Sequence, residues 1–347
     1  MFIKSKLVIF SLVVVLVFTL FSLVSMAKIF TIATDPLGSG TYGCTAGMAK
    51  ILNSYSGFNI KVKSTAGATE AAPLLAFGEA ELAILSSYES RVSYLTKGYY
   101  EEPLKSLKVS PFRLLMGGPP TYISVVVRED SGIKTGKDLK GKKFVGIFTG
   151  SEGCTLQGDA FLASWGLSRD DVIMVQTPGL TEAVEVLIEG RADAAGTSAP
   201  GQAILKELDS KRGARFLSIN NSAEGIKAYQ DIYPAAILLL EPALDLTGIK
   251  EPTYMGAFED LFVANKDLVS DEAAYNIVKT LWEHNEEMRK IHVNLSYVTT
   301  DKFATTGAPM PFHPGAVKFY KEKGVWTPEL EAKNQEFLDA ENLLLKE

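Results

Sequence analysis

Two short glycine-rich runs carry the residue types most suited to chemistry. The first is Gly38-Ser39-Gly40-Thr41-Tyr42-Gly43, and the second is Gly150-Ser151-Glu152-Gly153. Each places a hydroxyl residue just ahead of a stretch with helical character, where Ser or Thr caps a helix. The first turn of a helix leaves N–H groups without intrahelical acceptors and carries a partial positive charge. Glycines let another group approach that backbone closely. The chemistry implied is recognition of a small anion. A glycine-rich turn is also an ordinary strand-to-helix connector, so a single copy would carry little weight.

The sequence assembles no recognisable catalytic constellation. His284, His292 and His313 all lie in the C-terminal region, and His284 and His292 are not at the i, i+4 spacing of a helical zinc pair. There is no Gly-x-Ser-x-Gly elbow and no P-loop lysine. Gly38, Gly40 and Gly43 do fit a dinucleotide-binding spacing after a strand. The second run does not keep that spacing, and no clear acidic residue ends the second strand, where Ile60 to Ser64 runs into lysines. No enzyme activity, cofactor or metal is expected.

The elements that must position the two runs repeat. Displaced by 112 positions, Gly38-Ser39 falls on Gly150-Ser151, Thr65 on Thr177, Gly67 on Gly179, and Thr69-Glu70-Ala71 on Thr181-Glu182-Ala183. Leu75, Gly78, Ala80, Ala83 and Ser86 meet Leu187, Gly190, Ala192, Ala195 and Ser198 without a gap. Lys28 to Thr34 reads as a strand, and Met48, Ile51, Leu52 and Tyr55 form one apolar helical stripe. Each copy is therefore a strand–helix–strand–helix–strand unit. Two copies predict an α/β fold of two similar lobes joined by two crossing strands, with a cleft between them. The expected division is residues 28–120 with 258–347 for lobe one and 121–257 for lobe two, with crossings near 118–123 and 254–260. Pro73 predicts a late start or a bend in the second helix. A helix is expected at Gly201 to Leu208, another after Ser270, another after His313-Pro314, and a helical tail.

Residues 1–27 read as a secretory signal peptide: Lys4 and Lys6, an apolar run from Leu7 to Val24, and small residues before a cut near Ala27. The protein is then periplasmic or otherwise extracytoplasmic. The chain has 347 residues and a formal net charge of −6, with no dense basic block, so nucleic acid is a poor partner. Cys44 and Cys154 are too few for a disulfide scaffold and are read as two small buried thiols.

Six segments together resemble the TAXI family of solute-binding proteins that serve TRAP transporters. They are Gly38-Ser39-Gly40-Thr41-Tyr42, Thr65-Ala66-Gly67-Ala68-Thr69-Glu70, Gly78-Glu79-Ala80-Glu81-Leu82-Ala83, Asp130-Ser131-Gly132-Ile133-Lys134, Asp138-Leu139-Lys140-Gly141-Lys142 and His313-Pro314-Gly315-Ala316. The resemblance implies a type II periplasmic-binding-protein fold that closes on a small solute. It implies delivery to a TRAP permease driven by an ion gradient, with an amino acid such as glutamate or a dicarboxylate such as 2-oxoglutarate as ligand. On this reading backbone N–H groups at Ser39, Gly40, Thr41 and Tyr42, and at Ser151, Glu152 and Gly153, hold the ligand carboxylate. Thr69, Ser87 and Ser198 add hydroxyls, Tyr42 or Tyr233 packs on the carbon chain, and Glu70 contacts an ammonium or sits in a favourable helix first turn. Glu152 departs from the family's small neutral residue; facing the cleft, it would repel a second carboxylate. A monomer is expected. The alternative is the binding protein of an ATP-driven importer for a phosphonate- or sulfonate-like anion.

Overall fold

The computed structural model describes residues 28–346 apart from residues 108, 244 and 245. Residues 1–27, read above as a signal peptide, lie outside the described residues. The first copy of the repeat is β1 (Ile29–Thr34), α1 (Gly40–Tyr55), β2 (Asn59–Ser64), α2 (Ala68–Ala76) and β3 (Leu82–Ser86), followed by α3 (Ser87–Tyr94). The chain then forms β4 (Phe112–Met116) and crosses over in β5 (Pro120–Arg128). The second copy is β6 (Lys143–Phe148), α4 (Glu152–Ser164), β7 (Ile173–Thr177), α5 (Leu180–Ile188) and β8 (Ala194–Ser198). After it come α6 (Leu205–Arg212), β9 (Ala214–Phe216), α7 (Ala223–Ile232) and β10 (Ala236–Leu240). The long β11 (Thr253–Asn265) returns, and α8 (Asp271–Glu283), α9 (Asn285–Met288), α10 (Pro314–Glu322) and α11 (Pro328–Lys346) follow.

The two copies match in hydrogen-bond detail. β1 pairs in parallel with β2 and β3, and β6 pairs in parallel with β7 and β8. Ser39 Oγ accepts from the Tyr42 N–H at 3.0 Å, and Ser151 Oγ accepts from the Cys154 N–H at 3.2 Å. The hydroxyls of Thr65 and Thr177 donate to the carbonyls of Gly67 and Gly179, at 3.0 and 3.2 Å. Each threonine thus shapes the turn that starts α2 or α5.

Three buried clusters hold the fold. One gathers Phe30, Ile32 and Leu52 with Phe262, Ile277 and Phe319, so residues far apart in sequence build a single lobe core. The other lobe buries Phe144, Phe161 and Tyr229 in one cluster and Val145, Val184 and Leu187 in another. Phe144 and Val145 are neighbours on one strand, and successive strand residues face opposite ways, so these clusters cover both faces of a mixed sheet whose β6, β7 and β8 are parallel.

β5 and β11 run antiparallel where they cross, from Ile123–Gly256 to Pro120–Glu259. The later half of β11 pairs with β3 and β4 in the first lobe. At the junction the Asp260 N–H donates to the Pro119 carbonyl at 3.0 Å. A Cβ at Gly118 would stand 1.8 Å from the Asp260 carbonyl oxygen, so this crossing requires glycine there.

Some local expectations change. α2 begins at Ala68 and runs through Pro73, which removes one intrahelical donor without delaying or ending the helix. The helix read at Gly201 begins at Leu205. α7, β9 and β10 were not anticipated, because short elements between proline-marked loops leave little periodic signal.

The helical tail is fastened to the first lobe through a buried ion pair. Arg113, on β4, donates to Glu341 on α11 at 2.6 and 3.0 Å, and the Tyr94 hydroxyl donates to the same carboxylate at 2.7 Å. Removing one member leaves the other charged and buried. Glu341→Ala is therefore expected to destabilise the protein by about 3–5 kcal/mol, read as a lower melting temperature and denaturant midpoint. Glu341→Gln should lose less.

Candidate functional site

An enclosed cavity of about 80 Å³ lies between the lobes. One side is formed by Asp35, Ser39, Gly40, Thr41, Gly67, Ala68 and Glu89, and the other by Ser151, Gly153, Gln157, Leu180, Thr181 and Gln202. The crossing strands contribute Thr121 and Asp260. α1, α2, α4 and α5 all begin here, because each follows the C-terminal end of a parallel strand, where ligand crevices of α/β sheets form.

Several donors and acceptors at the cavity have no partner among the described residues. The N–H groups of Gly40 and Thr41 on α1, Ala68 on α2, and Leu180 and Thr181 on α5 have no hydrogen-bond acceptor there. Gln157 Oε1, Thr181 Oγ1 and Gln202 Nε2 are buried and unpaired. Gln202 is held by its other end: its Oε1 accepts from the Ala199 N–H at 3.1 Å and from the Ser198 hydroxyl. Such groups lose free energy when buried unpaired, and a polar solute in the cavity would recover it.

Carboxylates oppose these donors. Asp260 accepts from the Thr41 and Thr121 hydroxyls at 3.1 and 3.0 Å. Burial first, and then the nearby charge of Asp35, push Asp260 up to about 7, against the pull of those two hydroxyls. Asp35 is pushed up to about 6 by burial, opposed by the Thr41 hydroxyl. Glu89 is also pushed up, by burial, while Tyr100, the Gly153 N–H and Ser151 stabilise its charge. Among the described residues, no Lys, Arg or His lines the cavity.

The chain belongs to the NMT1-like family, matched over residues 32–324. Its fold is that of periplasmic binding proteins. A Prochlorococcus marinus protein solved with methylphosphonate is similar at TM-score 0.54 and 9% identity, covering 86% of this chain and 97% of that one. The binding component of a Pseudomonas aeruginosa ABC phosphonate transporter is similar at TM-score 0.51 and 11% identity, covering 92% and 97%. A Bordetella bronchiseptica RB50 protein is similar at TM-score 0.50 and 14% identity, covering 89% and 98%.

In this NMT1-like chain, Ser39, Gly40, Thr41, Ser151 and Gly153 line the cavity. The other residues read from the sequence lie elsewhere. Thr69 donates its hydroxyl to the Gly150 carbonyl at 2.6 Å, and Glu70 accepts from the Ala66 N–H at 2.9 Å as a helix-start carboxylate. Both lie at a surface groove on the seam between the lobes. Glu152 turns away from the cavity and accepts from the Tyr99 N–H at 2.9 Å. Ser87 and Tyr42 are half-buried outside the lining, and Ser198 acts by orienting Gln202. Tyr233 lies outside the cavity lining, buried against Tyr88 and Phe258 with ring centroids at 4.9 and 6.4 Å.

The larger correction concerns the second glycine run. The Gly153 N–H, expected with those of Ser151 and Glu152 to hold the ligand's carboxylate, donates to Glu89 Oε1 at 2.9 Å, and the Ser151 hydroxyl donates to the same atom at 2.9 Å. That helix start is filled from within the protein. Asp35, Glu89, Gln157, Thr121, Gln202 and Asp260 were missed. Asp35 directly follows β1, at a sheet mouth. Asp260 follows Glu259 on β11, and nothing within that segment singles it out. Gly43 is explained by packing, since a Cβ there would stand 2.8 Å from the His292 ring.

Cys44 and Cys154 are free thiols, and burial pushes both up, Cys154 to about 12. Among the described residues no cluster of three or more His, Cys, Asp or Glu could hold a metal, and no helix is long and apolar enough to cross a membrane.

Asp35 and Asp260 bind protons more tightly folded than at the ordinary value of 3.8, so their stability contribution is present below about pH 4 and lost as pH rises through about 6 to 7. In ligand-free protein the melting temperature should fall across that window. Asp260→Asn should flatten the fall, because it removes one of the two facing charges. An equally steep fall in the variant would assign the effect to other groups.

Proposed function

We propose that this chain is an extracytoplasmic solute-binding protein, which captures a small solute between its lobes and passes it to a membrane permease without catalysing a reaction. The observation that carries this reading is the enclosed cavity, lined from both lobes and holding unpaired polar groups that a polar guest would satisfy. The moving bodies on this reading are residues 28–120 with 258–347, and 121–257, with hinges where β5 and β11 cross.

The open N–H groups of α1, α2 and α5 favour an acid group, while Asp35 and Asp260 favour a positive one. The solute supported best carries one acid group and one ammonium, such as an amino acid or an aminoalkylphosphonate. A dicarboxylate such as 2-oxoglutarate is disfavoured, because its second acid would meet two carboxylates with no cationic side chain in the lining to offset them. For the permease, the phosphonate-related fold neighbours support an ATP-driven importer. The TAXI-like motifs support the second reading, an ion-gradient TRAP permease, and the neighbouring permease genes would separate the two.

A thermal-shift screen on protein unfolded and refolded to strip carried solute tests the ligand class. Amino acids and 2-aminoethylphosphonate should raise the melting temperature and 2-oxoglutarate should not. Affinity for the active compound should strengthen as pH rises through about 6 to 7, as Asp35 and Asp260 ionise. Stabilisation by diacids alone, or affinity that weakens over that range, would overturn the ammonium assignment. Ser39→Ala with Thr41→Ala should weaken binding about tenfold, consistent with the loss of one or two modest hydrogen bonds.

A further inference from the structure

Glu89 reaches from α3 of the first lobe onto the start of α4 in the second. Its Oε1 accepts from the Ser151 hydroxyl and the Gly153 N–H, each at 2.9 Å, and its Oε2 accepts from the Tyr100 hydroxyl at 2.8 Å. Ser151 Oγ already accepts from the Cys154 N–H, which leaves its own hydrogen for Glu89. The Gly153 N–H can only donate. Three donors thus converge on one buried side chain, the arrangement of a carboxylate at a helix start. Gly153 makes the approach possible, since a Cβ there would stand 2.8 Å from Glu89 Oε1.

The equivalent place in the first copy is different. At α1 the N–H groups of Gly40 and Thr41 face the cavity without an acceptor among the described residues. Two helix starts related by the repeat therefore hold different things: one is open to a guest, and the other is filled by the chain.

We propose that Glu89 is a resident anion. It occupies the helix start that would otherwise take an acid group of the solute, so it sets the site's specificity against a second acid, and it clasps the two lobes together. The specificity half of this rests on reading the cavity as the solute site. Further contacts tie the same seam, among them the Tyr99 N–H to Glu152 Oε2 at 2.9 Å and the Thr69 hydroxyl to the Gly150 carbonyl at 2.6 Å. Both join residues around α4's start to the first lobe, so the clasp acts where the lobes already meet.

Acetate is the probe, because it supplies the carboxylate that Glu89→Ala removes. In calorimetric titration, Glu89→Ala should bind acetate about tenfold more tightly than the unaltered protein, or better. In small-angle scattering without solute, Glu89→Ala should show a larger radius of gyration than the unaltered protein. Acetate should reverse this, and chloride at equal ionic strength should not. An unchanged radius with no gain in acetate binding would overturn the proposal. If circular dichroism finds Glu89→Ala unfolded, Glu89→Gln with Ser151→Ala keeps the side-chain volume while removing the charge and one donor. It should show the same expansion, and an unexpanded double variant would equally refute the clasp. Neither readout uses the transported solute, so a failed ligand screen and a failed clasp are distinguishable.

Discussion

A carboxylate buried between two lobes must be met by donors, and Asp260 shows how this fold meets that demand. It sits on β11 where that strand passes from one lobe to the other, beside the backbone contact with Pro119. Thr121 on the other crossing strand and Thr41 on the first turn of α1 both donate to it. One side chain thus joins the two crossings and the start of the first helix. Nearby Asp35 raises the cost of its charge, and that cost remains until something positive enters the cavity.

The rest of the site follows from duplicated geometry that has been used unequally. A repeat of strand and helix aims four helix starts at one seam, and aligned peptide dipoles make that seam favourable for negative charge. Three carboxylates answer it. Glu89 is matched to a helix start and satisfied there, whereas Asp35 and Asp260 lie on the crossing side and exceed the donors the chain supplies. The cavity that remains is lined both by free N–H groups and by carboxylate charge beyond the donors that the chain supplies. On the reading proposed above, this mixture would select a solute by its charge pattern rather than by overall attraction, in a protein whose own net charge is negative.

Closure of the seam depends on backbone meeting backbone. Gly67 has φ +148°, and a Cβ on it would stand 2.3 Å from the Gly150 carbonyl oxygen, while a Cβ on Gly150 would stand 2.1 Å from that of Ala66. The Thr69 N–H donates to the Gly150 carbonyl at 3.1 Å across the same gap. The glycines that open the turns of the repeat therefore also permit the lobes to come together, and any side chain there would hold them apart.

How much of this was legible beforehand depends on whether a signal is local. The two Gly-Ser runs, the helices they start and the threonines that shape the second turns are local patterns, and repetition doubled them. The α/β class and the paired lobes therefore emerged from residue order alone, since capping, β-branching and helical periodicity act within a few residues. The assignment of Ser151 and Gly153 to a ligand failed because the group that fills α4's start, Glu89, lies 64 residues earlier in the chain. Glu152 was placed in the right turn, but its side chain turns to Tyr99 in the other lobe. Asp35 and Asp260 were unremarked because neither is unusual within its own segment; only the approach of β1 to the crossing strands makes them face one cavity. Sequence by itself determined which helices could cradle an anion. Tertiary packing alone decided which cradle stays empty and what charge opposes it, because burial and long-range pairing set both.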